Sequence, residues 1–386
     1  MSHRSAQILV VTVLLLVALG LTMLCSTNAF GVHASADDIY YEVKRQFIWI
    51  LAGGVGCVVL AILDYHWWQR TAWLWYGVAI VALVLCFVPH VGMNINGESR
   101  WVSAKLLGLS SLRFQPSELG KLAMLFVIAA WYDRDHVDEH SFLKGFLVPI
   151  GIVSVLVLLI LGEVDMGSAA IIAAAAFAVM FLAGADWKYL TATGLLALGG
   201  LAGMVMAIPN RLERVTAIFD PNAPTNGVLL QQYLAKIAFG SGGVEGLGLG
   251  SGRLKMLYMP FAHTDFIFPM IGEELGLFFT LAVVLCFVII VVCGMLIALH
   301  APDRFGRLLG FGIVSCIAFQ AILNIGVTTS VLPNTGLPLP FVSYGGSNII
   351  FCLTGVGILL NIFRQGTQKE EENYPRILRT KLTPRV

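Results

Sequence analysis

The run His263-Thr264-Asp265-Phe266-Ile267-Phe268 sets one carboxylate beside a histidine and a threonine where the chain turns apolar, and Glu273-Glu274 follow closely. A carboxylate positioned in this way can take a proton from a hydroxyl as a general base. The chain is 58% hydrophobic and only 12% charged over 386 residues, so acids at such a boundary are expensive to keep. A costly acid beside a membrane span is a functional candidate by default. The plainer alternative is that the three acids cap the next helix and stay in water.

Four further polar stretches could share a site with Asp265. In Asn96-Gly97-Glu98-Ser99-Arg100-Trp101-Val102 a cation stands beside an indole. That pairing suits a sugar or phosphate at an interface, and equally an aromatic belt with a headgroup-binding arginine. In Gln115-Pro116-Ser117-Glu118-Leu119-Gly120-Lys121, proline fits a helix's first turn, and Glu118 and Lys121 fall on one helical face where they can pair. In Pro338-Leu339-Pro340-Phe341-Val342-Ser343-Tyr344-Gly345-Gly346-Ser347-Asn348, prolines, glycines and side-chain hydrogen bonders stand together. Such a broken backbone survives at membrane depth only inside protein or along a wet cavity. Gly240 to Gly252 holds seven glycines in thirteen residues but lacks the Gly-Lys-Ser/Thr ending of a phosphate loop. Arg253 and Lys255 follow it and carry positive charge toward Asp265.

The elements that hold these stretches are membrane spans. Mean hydropathy is +0.83, and windows of roughly bilayer length recur along the chain. Spans are expected at 7–27, 46–64, 71–88, 116–132, 144–162, 166–184, 188–208, 267–299, 305–331 and 341–364. The eighth should begin at the interface through Glu274, and the ninth should break near Asn324, Gly326 and Pro333. The fold class is therefore all-α integral membrane with ten transmembrane helices, and a large extracytoplasmic loop, 209–266, between helices 7 and 8. Residues 1–364 form one polytopic domain, and 365–386 form a charged, solvated tail. The run Ile8 to Cys25 is longer than the apolar core of a signal peptide, and Ala34-Ser35-Ala36 lies far beyond its end, so it reads as a retained first span.

Thirteen Lys and Arg fall on the side of the N-terminus, against six in short loops on the other side. Long loops count little in this comparison, so both termini are expected in the cytoplasm and the polar stretches outside. ATP is absent there, which disfavours a nucleotide-driven enzyme. Net charge of +1 gives no reason to expect nucleic acid. The seven cysteines lie in apolar runs without metal-ligand or disulfide spacing and read as packing residues.

Taken in order, Asn96-Gly97 with Arg100-Trp101, Gln115-Pro116-Ser117-Glu118, Gly240-Ser241-Gly242-Gly243, His263-Thr264-Asp265-Phe266-Ile267-Phe268 with Gly272-Glu273-Glu274-Leu275-Gly276, and Pro340-Phe341-Val342-Ser343-Tyr344-Gly345-Gly346-Ser347 resemble the SEDS family of bacterial cell-wall polymerases (shape, elongation, division and sporulation). Arg211-Leu212-Glu213-Arg214-Val215-Thr216-Ala217, Phe219-Asp220-Pro221 and the ending Gly355 to Ile362 resemble its cell-division branch more than its elongation branch. Two departures stand out. Pro260-Phe261-Ala262 lacks the glutamate usual before the His-Thr-Asp run. Glu163-Val164-Asp165-Met166-Gly167-Ser168 replaces a usual Pro-Asp-Leu-Gly-Thr.

The resemblance implies a peptidoglycan glycosyltransferase joining lipid II units outside the cytoplasmic membrane, with a class B penicillin-binding protein and other division proteins as partners. It assigns the essential acid to Asp265, and substrate roles to Arg100, Trp101, Glu118 and Lys121. Asp265 would accept the acceptor sugar's proton, while Arg100, Lys121, Arg253 and Lys255, or a divalent Mg or Mn ion, meet the leaving diphosphate. No other cofactor is implied. Thr264, Ser343, Lys255 and His263 complete the candidate substrate contacts. His263 could either orient Asp265 or simply sit at the interface. Two other classes compete: a lipid II flippase, which broken helices would suit, and a scaffold that only activates a partner synthase.

Overall fold

The computed structural model describes residues 2–28, 40–89, 91–95, 98–103, 113–135, 137–207, 228–255 and 264–373. Ala34-Ser35-Ala36, residues 211–221 and His263 lie outside the described residues. Helices fill every stretch that hydropathy marks. They are α1 (Ser2–Asn28), α2 (Tyr41–Ile62), α3 (His66–Leu85), α4 (Pro116–Tyr132), α5 (Val148–Gly162), α6 (Met166–Ala183) and α7 (Trp187–Ala207). After α8 (Val228–Gly242) come α9 (Ile267–Leu299), α10 (Arg304–Thr328) and α11 (Gly346–Asn373). Seven helices among the described residues are long and apolar enough to cross a membrane. Large apolar side chains such as Leu158, Leu196 and Phe278 stay exposed on the bundle's outside, which in a span is the face that lipid covers.

Local chemistry starts and stops these helices. Pro116 occupies the first turn of α4, where its missing N–H costs nothing. Asp165 caps α6 by accepting from the Ser168 amide, and Gly184, in the left-handed region, ends it. Asp303 caps α10 through the Gly306 amide at 2.7 Å. At this end of the bundle Tyr65 donates to Asp303, and Arg304 pairs with Glu139 while donating to the Ala183 carbonyl. Helix α4 lies centrally, against α3, α5, α6 and α10. Helix α11 runs along α2, and α1 lies on α9.

The bundle is helical as expected, and it carries one small sheet besides. Strands β1 (Gly92–Ile95), β2 (Glu98–Ser103) and β3 (Arg113–Phe114) form an antiparallel sheet in the order β1-β2-β3. One expectation is corrected: α10 is not broken, since Asn324 and Gly326 remain helical and the chain leaves the helix only after Thr328. Glu273 and Glu274 are each 1% exposed, packed inside the protein. Helix α11 continues past Gln365 through Asn373. The long loop also carries structure of its own, α8 and the glycine-rich turn after it, which packs on α9.

That packing explains a break inside α9. Gly276 sits at φ 78°, ψ −171°, where the Leu277 amide leaves the helical pattern for the Gly243 and Val244 carbonyls. A Cβ at Gly276 would lie 2.5 Å from the Gly246 nitrogen and from the Val244 oxygen. Only glycine fits both the dihedral and the approach. Gly276→Ala is therefore expected to cost at least about 1 kcal/mol. Gly54→Ala, on α2 with nothing within 4 Å of its Cβ position, should be neutral or stabilising by roughly 0.5–1 kcal/mol. Thermal unfolding of the detergent-solubilised chain checks both, and equal melting temperatures for the two variants would contradict it.

Candidate active site

Asp265 lies in the turn just before α9 and is partly exposed. It does not cap the helix. The cap residue is Phe266, and no side chain serves that end. Its backbone is held instead: the Asn324 amide of α10 donates to the Asp265 carbonyl at 2.8 Å and to the Leu337 carbonyl at 2.6 Å. Asn324 thus ties the turn 264–266 to the irregular segment that follows α10. Within that segment Gly336, at φ +67°, faces both the acid and a cation. Its Cβ position lies 3.4 Å from Asp265 Oδ2 and 3.7 Å from Arg100 Nη1. A carboxylate from the α9 turn and a guanidinium from the sheet therefore share one small space at this end of the bundle. Thr264 adjoins it in the same turn and is also partly exposed.

Arg100 is aimed by β2. Its Nη2 donates to the Val164 carbonyl at 2.8 Å, in the turn between α5 and α6. Trp101 follows on the strand, opposite Met93 and partly exposed. The turn that receives Arg100 carries two buried acids that spacing alone did not mark. Asp165 is fully buried and accepts from the Ser168 amide at 3.0 Å and from Gln115 Nε2 at 3.1 Å. Glu163 is also fully buried, yet neither of its oxygens has a hydrogen-bond partner. Burial pushes its carboxyl up to about 8, and Asp165 adds to the rise. The Cys86 thiol alongside and the Arg100 charge oppose it.

Glu118 and Lys121 do pair, at 2.9 Å, but they sit inside the bundle at 3% and 0% exposure. Lys121 also donates to Gln320 Oε1 at 2.8 Å and lies 4.8 Å from the centre of the Phe351 ring. Gln320 in turn donates to the Pro338 carbonyl and to Asn348 Oδ1. The pair thus braces the irregular segment from beneath, while Glu118 Oε2 and Asn348 Nδ2 keep no partner. Ser343 is 1% exposed, and its hydroxyl accepts from the Leu339 amide at 2.7 Å. It closes a backbone turn.

Lys255 is likewise turned inward. Its ammonium lies 2.6 Å from Glu274 Oε1 and 2.8 Å from the Ser26 hydroxyl of α1. Glu274 Oε2 accepts from the Gly250 amide at 2.8 Å, and Glu273 Oε1 from the Arg253 and Leu254 amides. The glycine-rich turn is therefore a clasp on two acids of α9, and glycines let its backbone reach them. As found, Lys255 is engaged in this clasp, while the Arg253 side chain is exposed. Among the described residues, no group of three or more His, Cys, Asp or Glu is placed to hold a metal ion.

Fold and site together define a multi-pass helical membrane protein with an acid–guanidinium pair at one end of its bundle. The profile of the cell cycle protein family FtsW/RodA/SpoVE matches residues 6–368. This chain belongs to that family, the SEDS proteins. It is 36% identical over 357 residues to stage V sporulation protein E of Bacillus subtilis, covering 92% of this chain and 96% of the relative. It is 37% identical over 355 residues to a probable peptidoglycan glycosyltransferase FtsW of Trichlorobacter lovleyi, covering 92% of each. Among solved structures, a chain of a peptidoglycan synthase complex that coordinates polymerization and crosslinking superposes with a TM-score of 0.75. The two are 29% identical, over 93% of this chain and 98% of that one.

Two outcomes follow from these contacts. Lys255→Met leaves Glu274 buried without its counter-ion and should destabilise the fold by about 3–5 kcal/mol, with Lys255→Met/Glu274→Leu recovering part of the loss. A lysine serving substrate alone would leave the melting temperature unchanged. For Glu163, the folded state binds the proton more tightly than the unfolded chain, whose carboxyl has the ordinary value of 4.5. Stability should fall as pH rises from that value to about 8 and then level off. Glu163→Gln should flatten this part of the curve, as thermal melts across the range will show.

Proposed function

We propose that this chain is a peptidoglycan glycosyltransferase that polymerises lipid II, the undecaprenyl-diphosphate disaccharide peptide, at the outer face of the cytoplasmic membrane during cell division. One observation carries the reading: the Asp265 carboxylate and the Arg100 guanidinium meet around Gly336 at one end of the bundle. The family and the likeness to probable peptidoglycan glycosyltransferases supply the reaction class.

In the chemistry this supports, an acceptor hydroxyl attacks the donor's anomeric carbon, and the bond from that carbon to the diphosphate oxygen breaks. Asp265 takes the hydroxyl proton as the new glycosidic bond forms. The diphosphate leaves as an anion, so no second acid has to protonate it. What it needs is positive charge where its own charge grows, and Arg100 is placed to supply that. Trp101 and Thr264, on either side of the pair in sequence, are the further substrate contacts. Glu118, Lys121, Lys255 and Ser343 act in this reading by holding the segments that carry the pair.

The topology that fits is ten spans with both termini cytoplasmic, as the distribution of Lys and Arg argues. It puts the sheet, Asp265 and the segment after α10 outside, with residues 1–364 as one membrane domain ahead of a cytoplasmic tail. The likeness to a chain of a peptidoglycan synthase complex supports a crosslinking partner, read here as a class B penicillin-binding protein.

Purified chain, with and without that partner, incubated with labelled lipid II should yield glycan strands. Leaflet transfer without strands would favour a flippase, and neither product a scaffold. Asp265→Asn should lower polymerisation by about 10²–10⁴-fold with the melting temperature unchanged. A near-normal rate in that variant would remove Asp265 from the chemistry.

A further inference from the structure

The reaction above uses one acid, yet a second carboxyl stands within the electrostatic reach of its cation. Glu163 is fully buried, and neither oxygen meets a donor at hydrogen-bond geometry, with only the weak donor of the Cys86 thiol alongside, an arrangement that native structures seldom keep without a purpose. It occupies the first position of the turn whose next residue, Val164, accepts from Arg100 at 2.8 Å. Val164 sits at φ 66°, a region that a β-branched side chain enters only under strain. Strained backbone concentrates at functional sites, and the observed outlier licenses the question of function here. The charged and titratable groups around Glu163 are Asp165 at the start of α6, Cys86 after α3, and Arg100 on β2.

We propose that Glu163 is a positioning residue for Arg100, setting how much of the guanidinium's charge reaches a substrate diphosphate. As a neutral acid it takes up none of that charge. As a carboxylate it competes with the diphosphate for it. A proton on Glu163 and an anion at Arg100 therefore favour one another. By reciprocity, diphosphate binding draws a proton from solvent onto Glu163. Since burial holds the carboxyl near 8, the acid is protonated at neutral pH and the coupling acts as pH rises past that value. The inference rests on the reading of this end of the bundle as a lipid-diphosphate site.

The test uses the full chain in detergent or nanodiscs with undecaprenyl diphosphate as the probe. Between pH 7 and pH 9 the unmodified protein should lose about tenfold in affinity relative to Glu163→Gln. Near pH 8 it should take up more protons on binding than the variant does, read by calorimetry in buffers of different ionisation enthalpy. Glu163→Met, similar in length and unable to ionise, is the second variant and should give the same flattened profile. Coincident profiles for all three proteins overturn the proposal, as does an absence of binding at either pH. pH-dependent binding without glycan synthesis would leave this coupling standing and remove the polymerase reading. Glycan synthesis with coincident profiles would do the reverse.

Discussion

The Asn324 side chain is the contact on which the site depends. One amide group, projected from the C-terminal end of an unbroken helix, donates to the carbonyls of both Asp265 and Leu337. Both acceptors belong to irregular backbone, which has no helical ladder to satisfy it and must find donors inside the protein. Gln320 of the same helix holds the segment at Pro338, and Asn324 adds the tie that joins this segment to the turn bearing the acid. Asn324 is 1% exposed, so its hydrogen bonds meet little competition from water. A rigid helix thereby imposes its position on two segments that could not hold it alone.

A second set of contacts acts from the other side of the acid. The clasp of Glu273 and Glu274 fixes the chain that leads toward Asp265 as well as the helix that leaves it. Ser26 brings α1 into the same knot through both oxygens of Glu274. An exposed ion pair contributes little, because water and side-chain entropy offset its attraction. Here the ammonium and carboxylate are buried together and their remaining capacity is taken by a hydroxyl and a backbone amide. Fully satisfied buried networks rigidify their surroundings. Beneath the irregular segment, Lys121, Gln320 and Asn348 form a second brace, in which Glu118 Oε2 and Asn348 Nδ2 lack partners, so this end of the bundle stands on two polar supports.

How much of this could be read in the sequence depends on what each feature costs in lipid. Helix positions were legible because an apolar window of bilayer length has few other uses, and Asp265 stood out because charge at such a boundary is rare. Partner identity was not legible. Glu274 and Ser26 are 248 residues apart, and nothing local to Lys255 distinguishes a cation for substrate from one for a buried acid. The sheet was missed for a related reason: its strands are short and polar, and no periodic apolar face announces them. Glu163 looked ordinary because a carboxylate at the end of a span usually faces water. Only the packing around the turn shows that it does not.

The acids of this chain consequently divide by what their oxygens already hold. Glu274 accepts from an ammonium, a hydroxyl and a backbone amide; Glu273 from two backbone amides; Asp165 from one amide and one side chain. These contacts commit the three carboxylates to holding segments of the fold together. Asp265 is held by its backbone carbonyl, and its side chain lies beside a guanidinium in a partly exposed space. Glycoside hydrolysis normally requires two such carboxyl groups, because a sugar alkoxide leaves badly. A diphosphate leaves well, so the chemistry proposed for Asp265 and Arg100 needs one acid and one cation. In that proposal the second carboxyl, Glu163, stays buried and acts on the cation, with no part in the bond-making itself.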